Sequence, residues 1–498
     1  MPDQSRITLK CVKCGKVYPW SFSVQCADCN NALIDIDYDL SKARIGREGP
    51  MMERYFDFLP LTRREFMIDG GEGNTPCVHS RELGKALGFS NLYSKMETAN
   101  PTRTTKDRQG TMAVAALRDL GISRFITSST GNSCTSLARI VSRFPDMHMS
   151  IFVGDEFLKR VNWVDAPNVD VYWLKNGTFV EAHQAARWWS NKTGDSSERG
   201  FFFFGKREAL KIAYMEAVEQ VPKPIEYYVQ GISSAMGVYS TWKASYQMKE
   251  IGLVERIPGM ICVQEETCNP MVRGWERGQE QMSPEDVIRY PRGLSKSTLR
   301  GDPSMVFTYV RHAVADSGGT MLTASQDDMR EMKKLAMDTE GMDICHTAAM
   351  TLAGIRTLLK QGWLKPDAVL LLNMTGADRV GAAHAMPKFV VERDEVDEWR
   401  VTPFEGGSVE GALDRVERVL VESQKLPGDV ELDTETWLLG KGLALDSVAL
   451  LEFSLALEKE FEFEVTEEEL NYENFRTVGS VADLFRSKMA DHALKRNG

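Results

Sequence analysis

Four of the nine cysteines, Cys11, Cys14, Cys26 and Cys29, form two CxxC pairs separated by eleven residues. Each CxxC closes a tight turn that aims two thiolates at one point, and two such turns complete a tetrahedron around zinc. Four thiolates leave no open position on the metal, so a zinc held here is structural rather than catalytic. A ribbon that folds on reduced, unmetallated thiols is the plain alternative. The remaining cysteines are scattered singles. A second candidate is Lys106, in the run Asn100-Pro101-Thr102-Arg103-Thr104-Thr105-Lys106-Asp107-Arg108, which ends a loop and opens a helix. The flanking Arg103 and Arg108 would depress the pKa of the amine, as a Schiff-base lysine requires. By spacing alone, a lysine at a helix start is most simply a surface residue.

These groups need a scaffold. Residues 8–36 read as a small thiol-pinned module within an N-terminal segment, 1–50. A large α/β region, 51–389, follows. Short apolar runs at Arg124–Thr127, Met149–Val153, Val169–Trp173, Ile225–Val229, Met260–Val263 and Ala368–Leu372 predict buried parallel strands. Helical stretches such as Gln109–Asp119 and Ser136–Phe144 lie between them. The pattern predicts βαβ units and a doubly wound sheet in two lobes, with a ligand in the cleft between them. The charged segment 390–407, broken by Pro403 and closed by Gly406-Gly407, reads as a linker. Beyond it, 408–498 predicts a helical bundle, with helices near Val409–Glu422, Ser447–Glu460 and Val478–Met489.

Charge is unevenly placed. From Glu405 onward there are 21 acidic and 10 basic side chains, which accounts for the whole net charge of −11. Such a field repels nucleic acid and attracts a partner with a basic face. No apolar run approaches the roughly 20 residues of a membrane span, and the first ten residues lack a secretory pattern. The expected setting is the cytoplasm, with no membrane and no nucleic-acid partner.

Several motifs occur in order: Gly71-Glu72-Gly73-Asn74-Thr75-Pro76; Lys95, Glu97 and Asn100-Pro101-Thr102; Lys106-Asp107-Arg108; Ser129-Thr130-Gly131-Asn132-Ser133; Gly231 to Gly237; and Asn373-Met374-Thr375-Gly376. Together they closely resemble threonine synthases and their relatives among the fold-type II enzymes that use pyridoxal 5′-phosphate (PLP). The resemblance covers roughly 8–380, including the zinc ribbon many threonine synthases carry. It implies a two-lobed fold of the tryptophan synthase β type. It also implies that Lys106 forms the Schiff base and then serves as base and acid. Asn132 would bond the ring 3′-oxygen, and Gly231, Ile232, Ser233, Ser234 and Ala235 would cradle the phosphate. Ser129, Thr130 and Ser133 would hold the substrate carboxylate or another anion. Thr375 would face the pyridine nitrogen. A neutral hydroxyl there makes the cofactor a weaker electron sink, which favours elimination and replacement at the β or γ carbon over transamination. Relatives are commonly homodimers.

Three stretches depart from that pattern. Arg103-Thr104-Thr105 stands where relatives usually read Gly-Ser-Phe, and an arginine there would bind an anion on a second substrate or simply face solvent. Phe203-Phe204-Gly205-Lys206-Arg207-Glu208 stands where many threonine synthases carry an Asn-Pro-Tyr-Arg phosphate grip, leaving the positive charge of Lys206 and Arg207. Cys345-His346-Thr347-Ala348 replaces Glu-Pro-Ala-Ser. The chemistry class is thus expected to persist with a changed substrate, a phosphorylated or acylated hydroxy-amino acid.

Near the C-terminus, Leu443-Ala444-Leu445-Asp446-Ser447-Val448 closely resembles the LGxDSL site of acyl and peptidyl carrier proteins, over about Gly407–Met489. Asp446 would cap the helix that Ser447 begins, and Ser447 would carry 4′-phosphopantetheine. The implied partners are a phosphopantetheinyl transferase and an acyl- or aminoacyl-loading enzyme, in natural-product biosynthesis. Two arrangements fit: a free amino acid reacts while the carrier holds the second reactant or product, or the amino acid itself rides as a thioester. The Ser129–Asn132 loop suits a free carboxylate and favours the first. A retired scaffold acting only as a carrier is a third reading, opposed by retention of lysine, asparagine, serine turn and threonine together. Metal analysis of the purified protein should find one zinc per chain, lost in Cys11→Ser; under half an equivalent, unchanged by the substitution, removes the metal.

Overall fold

The computed structural model describes residues 6–175, 177–289, 291–394, 398–406, 411–427, 430, 432–440 and 442–495. At the N-terminus, four antiparallel strands run in the order Val17–Tyr18, Ile7–Cys11, Ala32–Tyr38, Gln25–Cys26. They bring the four cysteine sulfurs within 4.8 Å of one another. The Cys14 and Cys26 sulfurs are 4.0 Å apart, close to the ~3.8 Å edge of a tetrahedron with Zn–S bonds of about 2.3 Å. The donor set therefore suits a structural zinc. This module does not hang free. Arg207 is buried and pairs with Asp35 at 2.8 Å, and Lys243 bridges Asp35 and Glu208 at 3.1 and 2.6 Å. Burial would raise the Asp35 carboxyl, but Lys243 and then Arg207 hold it well below the usual carboxylate range.

All six expected strands form, three in each of two sheets. One sheet runs Ser196–Ser197, Arg124–Ser128, His148–Gly154, Val169–Leu174, Phe389–Arg393, Trp399–Pro403. The other runs Thr320–Ala324, Gly259–Glu265, Tyr227–Gly231, Val369–Met374, Asn91–Met96, Cys77–His79. Each is parallel apart from one antiparallel edge strand. Residues of the inner strands are buried on both faces, so their sequences run continuously apolar instead of alternating.

The segment 390–407 corrects its expected role as a linker. Phe389–Arg393 pairs in parallel with Val169–Leu174, and Trp399–Pro403 folds back against it as an antiparallel hairpin. The Phe389 ring stacks on Tyr172 at 4.7 Å, and Val391 is fully buried. Its charged residues Glu392 and Arg393 end the inner strand and Arg400 lies on the edge strand, all three exposed. That placement made the segment look like a solvated tether.

Helix starts lie earlier than the apolar periodicity implied, at Lys106–Asp119 and Asn132–Val141. Gly110 lets these two helices touch, since a β carbon there would meet the Ser136 hydroxyl at 2.2 Å. The Ser136 hydroxyl then donates to the Lys106 carbonyl at 2.7 Å. In the C-terminal region the helices are Ala412–Ser423, Ser447–Phe461 and Val478–Lys495, with 467–476 folded as turns. Of the first of these, Val409 and Glu410 lie outside the described residues. The three pack round Val416, Leu420, Phe453, Leu457, Val481 and Phe485.

Beneath the Lys106 helix lies a buried charge network. Arg108 donates to both oxygens of Glu97 at 2.8 Å and to Glu216 at 2.8 and 2.7 Å. Lys95 pairs with Glu216 at 2.8 Å. Burial would raise the Glu216 carboxyl, but Arg108 and then Lys95 hold it down to about 2. Two cations balance two anions, and the set is stable only when complete. Arg108→Met strands a buried carboxylate, so urea denaturation should show a loss of roughly 3–5 kcal/mol. A loss under about 1 kcal/mol would mean the network is dispensable.

Candidate active site and carrier

A cavity of about 310 Å³ opens where the parallel strands end, between the two sheets. Lys106, Asn132, Gly231, Ser233, Ser234, Ala235 and Thr375 all line it, although they are spread over nearly 270 residues of sequence. The Thr105 amide donates to the Thr375 carbonyl at 2.9 Å, which fixes the lysine loop against the threonine. Ahead of Lys106, the Thr102 amide and hydroxyl both donate to Asp107, at 2.6 and 2.9 Å. The Gly231 turn follows a strand and precedes the helix Met236–Glu250, whose first amides have no intrahelical acceptor. Ala235 holds a φ of +52° there, a strained backbone conformation of the kind that clusters at ligand clamps.

The Lys106 amine is pushed down to about 8, first by burial and then by the nearby Lys206, with Glu198 acting in the opposite direction. This corrects the expected cause. Arg103 instead forms an ion pair with Asp343 at 2.6 Å on the exposed rim, and Arg108 is spent in the network below. Neither arginine faces the amine.

Other expected site residues sit elsewhere. Ile232 is core, 1% exposed. Ser129 turns inward, its hydroxyl accepting from the amides of Gly131 and Cys134 at 3.2 and 3.4 Å. Ser133 accepts from Lys206 at 3.2 Å, and Lys206 pairs with Glu198 at 2.5 Å. Thr130 offers its carbonyl to Arg160 at 3.1 Å. The positive charge read in Lys206 and Arg207 is therefore neutralised within the protein, and Arg207 anchors the N-terminal module. Cys345 and His346 do line the cavity.

The unforeseen cavity groups are cationic. Arg160 and Arg379 line one wall, where Arg379 donates to Asn162 at 2.7 Å and to the Arg160 carbonyl at 3.0 Å. Burial and then the Arg160 charge pull Arg379 down to about 10. Burial also lowers Arg160, and two guanidinium groups side by side in a partly buried wall make a site for an anion. Arg379 follows Thr375 by four residues and was open to notice, whereas Arg160 has no local signal.

An amine poised near neutrality, a serine turn at a helix start, an amide and a hydroxyl form a donor set that suits PLP. Residues 68–376 match the family described as "Pyridoxal-phosphate dependent enzyme". The chain belongs to that family. Residues 428–485 match the phosphopantetheine attachment site, so a carrier domain follows. Similar proteins include a cysteate synthase of Methanosarcina mazei, 24% identical over 74% of this chain and 92% of that one. A threonine synthase of Methanocaldococcus jannaschii is 25% identical over 74% and 91%. Among solved structures, maize serine racemase shares the fold at a TM-score of 0.52 and 15% identity, over 62% of this chain and 90% of that one. This PLP enzyme therefore has the elimination or replacement chemistry of a threonine or cysteate synthase-like protein.

On the carrier, Asp446 caps the Ser447 helix, accepting from the amides of Val448 and Ala449 at 3.0 and 2.8 Å. Ser447 is exposed at that helix start, open to a phosphopantetheinyl transferase and to loading enzymes. The carrier rests on the PLP domain through charged side chains. Asp483 pairs with Lys296 at 3.1 Å, the Glu435 carboxylate lies 3.6 Å from His346, and Asp414 pairs with Lys159. Lys159, Lys296 and His346 all line the cofactor cavity. No helix among the described residues is long and apolar enough to cross a membrane.

An amine that titrates near 8 is half neutral at that pH, well below the ordinary lysine value of about 10.4. Visible absorbance regained when PLP is added to cofactor-stripped protein should thus rise in rate through pH 8 and level off. Lys206→Met should move the midpoint upward, because Lys206 favours the neutral amine. A wild-type midpoint above pH 10 would contradict the environment described.

Proposed function

We propose that the chain carries out a β- or γ-elimination or replacement on an activated hydroxy-amino acid, phosphorylated or acylated, while the phosphopantetheine arm on Ser447 tethers the second reactant or product. The observation that carries this reading is the docking of the carrier on three side chains that also line the cofactor cavity. A tethered thiol beside the cavity mouth acts at an effective concentration in the mM range. Cells seldom need such a tether for a primary amino acid, so natural-product biosynthesis in the cytoplasm is the proposed setting, with the chain acting as a homodimer.

Within this reading, Lys106 holds PLP and moves the proton at the substrate's α carbon. Asn132 would bond the ring oxygen, Gly231, Ser233, Ser234 and Ala235 would cradle the phosphate, and Thr375 would meet the ring nitrogen. The cofactor, when bound, supplies the electron sink for α-carbon chemistry. Ser129, Thr130 and Ser133 shape the loop that starts the Asn132 helix, and Arg160 and Arg379 take the substrate's anionic group. Two charges in a partly buried wall suit a phosphate or a free carboxylate better than a neutral thioester. This favours a free amino acid over a carrier-bound one. Kinship with threonine and cysteate synthases supports an amino-acid substrate with a leaving group on its side chain.

Protein co-expressed with a pantetheinyl transferase should gain one arm by intact mass, absent in Ser447→Ala. O-phosphoserine, O-phosphohomoserine or O-acetylserine should change the bound cofactor's absorbance without a ligase and without loading the arm. Glu435→Lys with Asp483→Lys should slow turnover of an arm-borne reactant about tenfold or more by loss of tethering, while a free thiol reacts as before. Failure of all three amino acids to perturb the spectrum ends the substrate proposal. Label appearing on the arm supports the thioester arrangement instead.

A further inference from the structure

A second cavity, of about 420 Å³, lies beside the cofactor cavity and is larger than it. The ion pairs Lys206–Glu198 and Lys296–Glu156 stand between them, with Lys296 facing the first and both glutamates facing the second. Five arginines line the second cavity: Arg187, Arg199, Arg289, Arg292 and Arg300. Its floor is apolar, with Phe157, Phe179, Phe201 and Phe202.

The charge is unbalanced. Glu198 pairs with Lys206, Glu156 and Asp483 share Lys296, and Asp302 also borders the space, its charge favouring the cationic form of Arg300. Among the described residues, no carboxylate lies within ion-pairing distance of Arg187, Arg199, Arg289 or Arg300. Arg199 reaches the neutral Gln25 at 3.3 Å, and Arg300 donates to the Asp302 carbonyl at 3.3 Å. His183, on the same wall, is held below its ordinary value by burial and then by Arg187 and Arg300, so their fields converge on one point. Arg187, Arg199 and Arg289 keep contact with water, and several guanidinium groups facing one space over an aromatic floor make a field that draws an anion. The carrier closes one side: Asp483 and Ser487 of helix Val478–Lys495 border the space, and Arg292 donates to Ser487 at 2.8 Å.

We propose that this cavity is a second binding site, separate from the cofactor cavity, for a phosphate-type anion carried on an uncharged stem. The anion sits among Arg187, Arg300 and their neighbours, and the stem lies on the phenylalanines. The ligand class is a free phosphorylated small molecule, since the phosphate of the carrier's arm stays bonded to the Ser447 oxygen and Ser447 is not among the residues lining this cavity.

The test uses phenyl phosphate as probe on the full-length, PLP-loaded protein, by calorimetry. One equivalent should bind with Kd at or below about 1 mM, benzyl alcohol should not bind, and the cofactor's absorbance should stay unchanged at saturation. Arg187→Gln with Arg300→Gln should weaken binding about tenfold or more, as loss of charge-assisted bonds requires, with circular dichroism and cofactor absorbance as in the parent. Arg289→Gln, at the exposed mouth, should weaken it in the same direction without risk to folding. Binding should be equal in phosphopantetheinylated protein and in Ser447→Ala, and loss of binding on attachment of the arm would contradict a site for a free ligand. Absence of saturable binding, indifference to all three arginine substitutions, or an absorbance change at saturation overturns the site.

Discussion

Arg108 is the constraint on which the active lysine depends. It lies two positions after Lys106, with one residue between them, and on an α-helix that is about 200° of rotation. When one of the pair points into the interior, the other must point away from it. Burying Arg108 against Glu97 and Glu216 therefore turns Lys106 outward to the cavity. The intervening Asp107 secures the preceding loop through Thr102. The same network spans several motifs at once, since Thr75, Lys95, Glu97 and Asn100 all bond within it or to it. These residues share a cluster because they hold the cofactor lysine in place, and none needs to touch the cofactor.

A second consequence is electrostatic. The interior pairs its charges in buried sets: Arg108 and Lys95 with Glu97 and Glu216, and Arg207, Lys243 and Lys211 with Asp35 and Glu208. Other cations bond to neutral groups. Arg160 and Arg379 at the cofactor cavity donate to carbonyl and amide oxygens, as Arg199 and Arg300 do at the neighbouring cavity. The acidic carrier settles on the cationic rim between them. Its negative charge, the whole net charge of the chain, thus meets a complementary face on the same molecule. Docking rests on a few ion pairs, from the half-exposed Lys159–Asp414 to the largely covered Lys296–Asp483, while the carrier's apolar core is built of its own residues. That suits a carrier that must also leave to meet its loading enzymes.

Misread residues share one cause. Arg103 and Arg207 were expected at the cofactor and the phosphate, yet their carboxylate partners lie 240 and 172 residues away in sequence. Local sequence cannot show that a charge is already neutralised from a distant strand. The hairpin at 389–403 was missed because its burial comes from Tyr172 and Trp189, which sit on elements far upstream. At the tight turn of Gly131, with φ +113°, the Ser129 hydroxyl accepts from the turn's own amide and Ser133 accepts from Lys206, contacts that the local sequence does not show.

The order of motifs along the sequence carried the chemistry class, and the sequence by itself determined the six buried strands, the thiol cluster and the Ser447 site. Each is written in contiguous residues: apolar runs for strands, paired CxxC turns for metal, and an aspartate cap before an exposed serine. The tertiary structure alone decided which charges remain free, why the Lys106 amine titrates near 8, and where the carrier rests. Those properties are sums over burial and over partners far apart in the chain, brought together only when the chain folds.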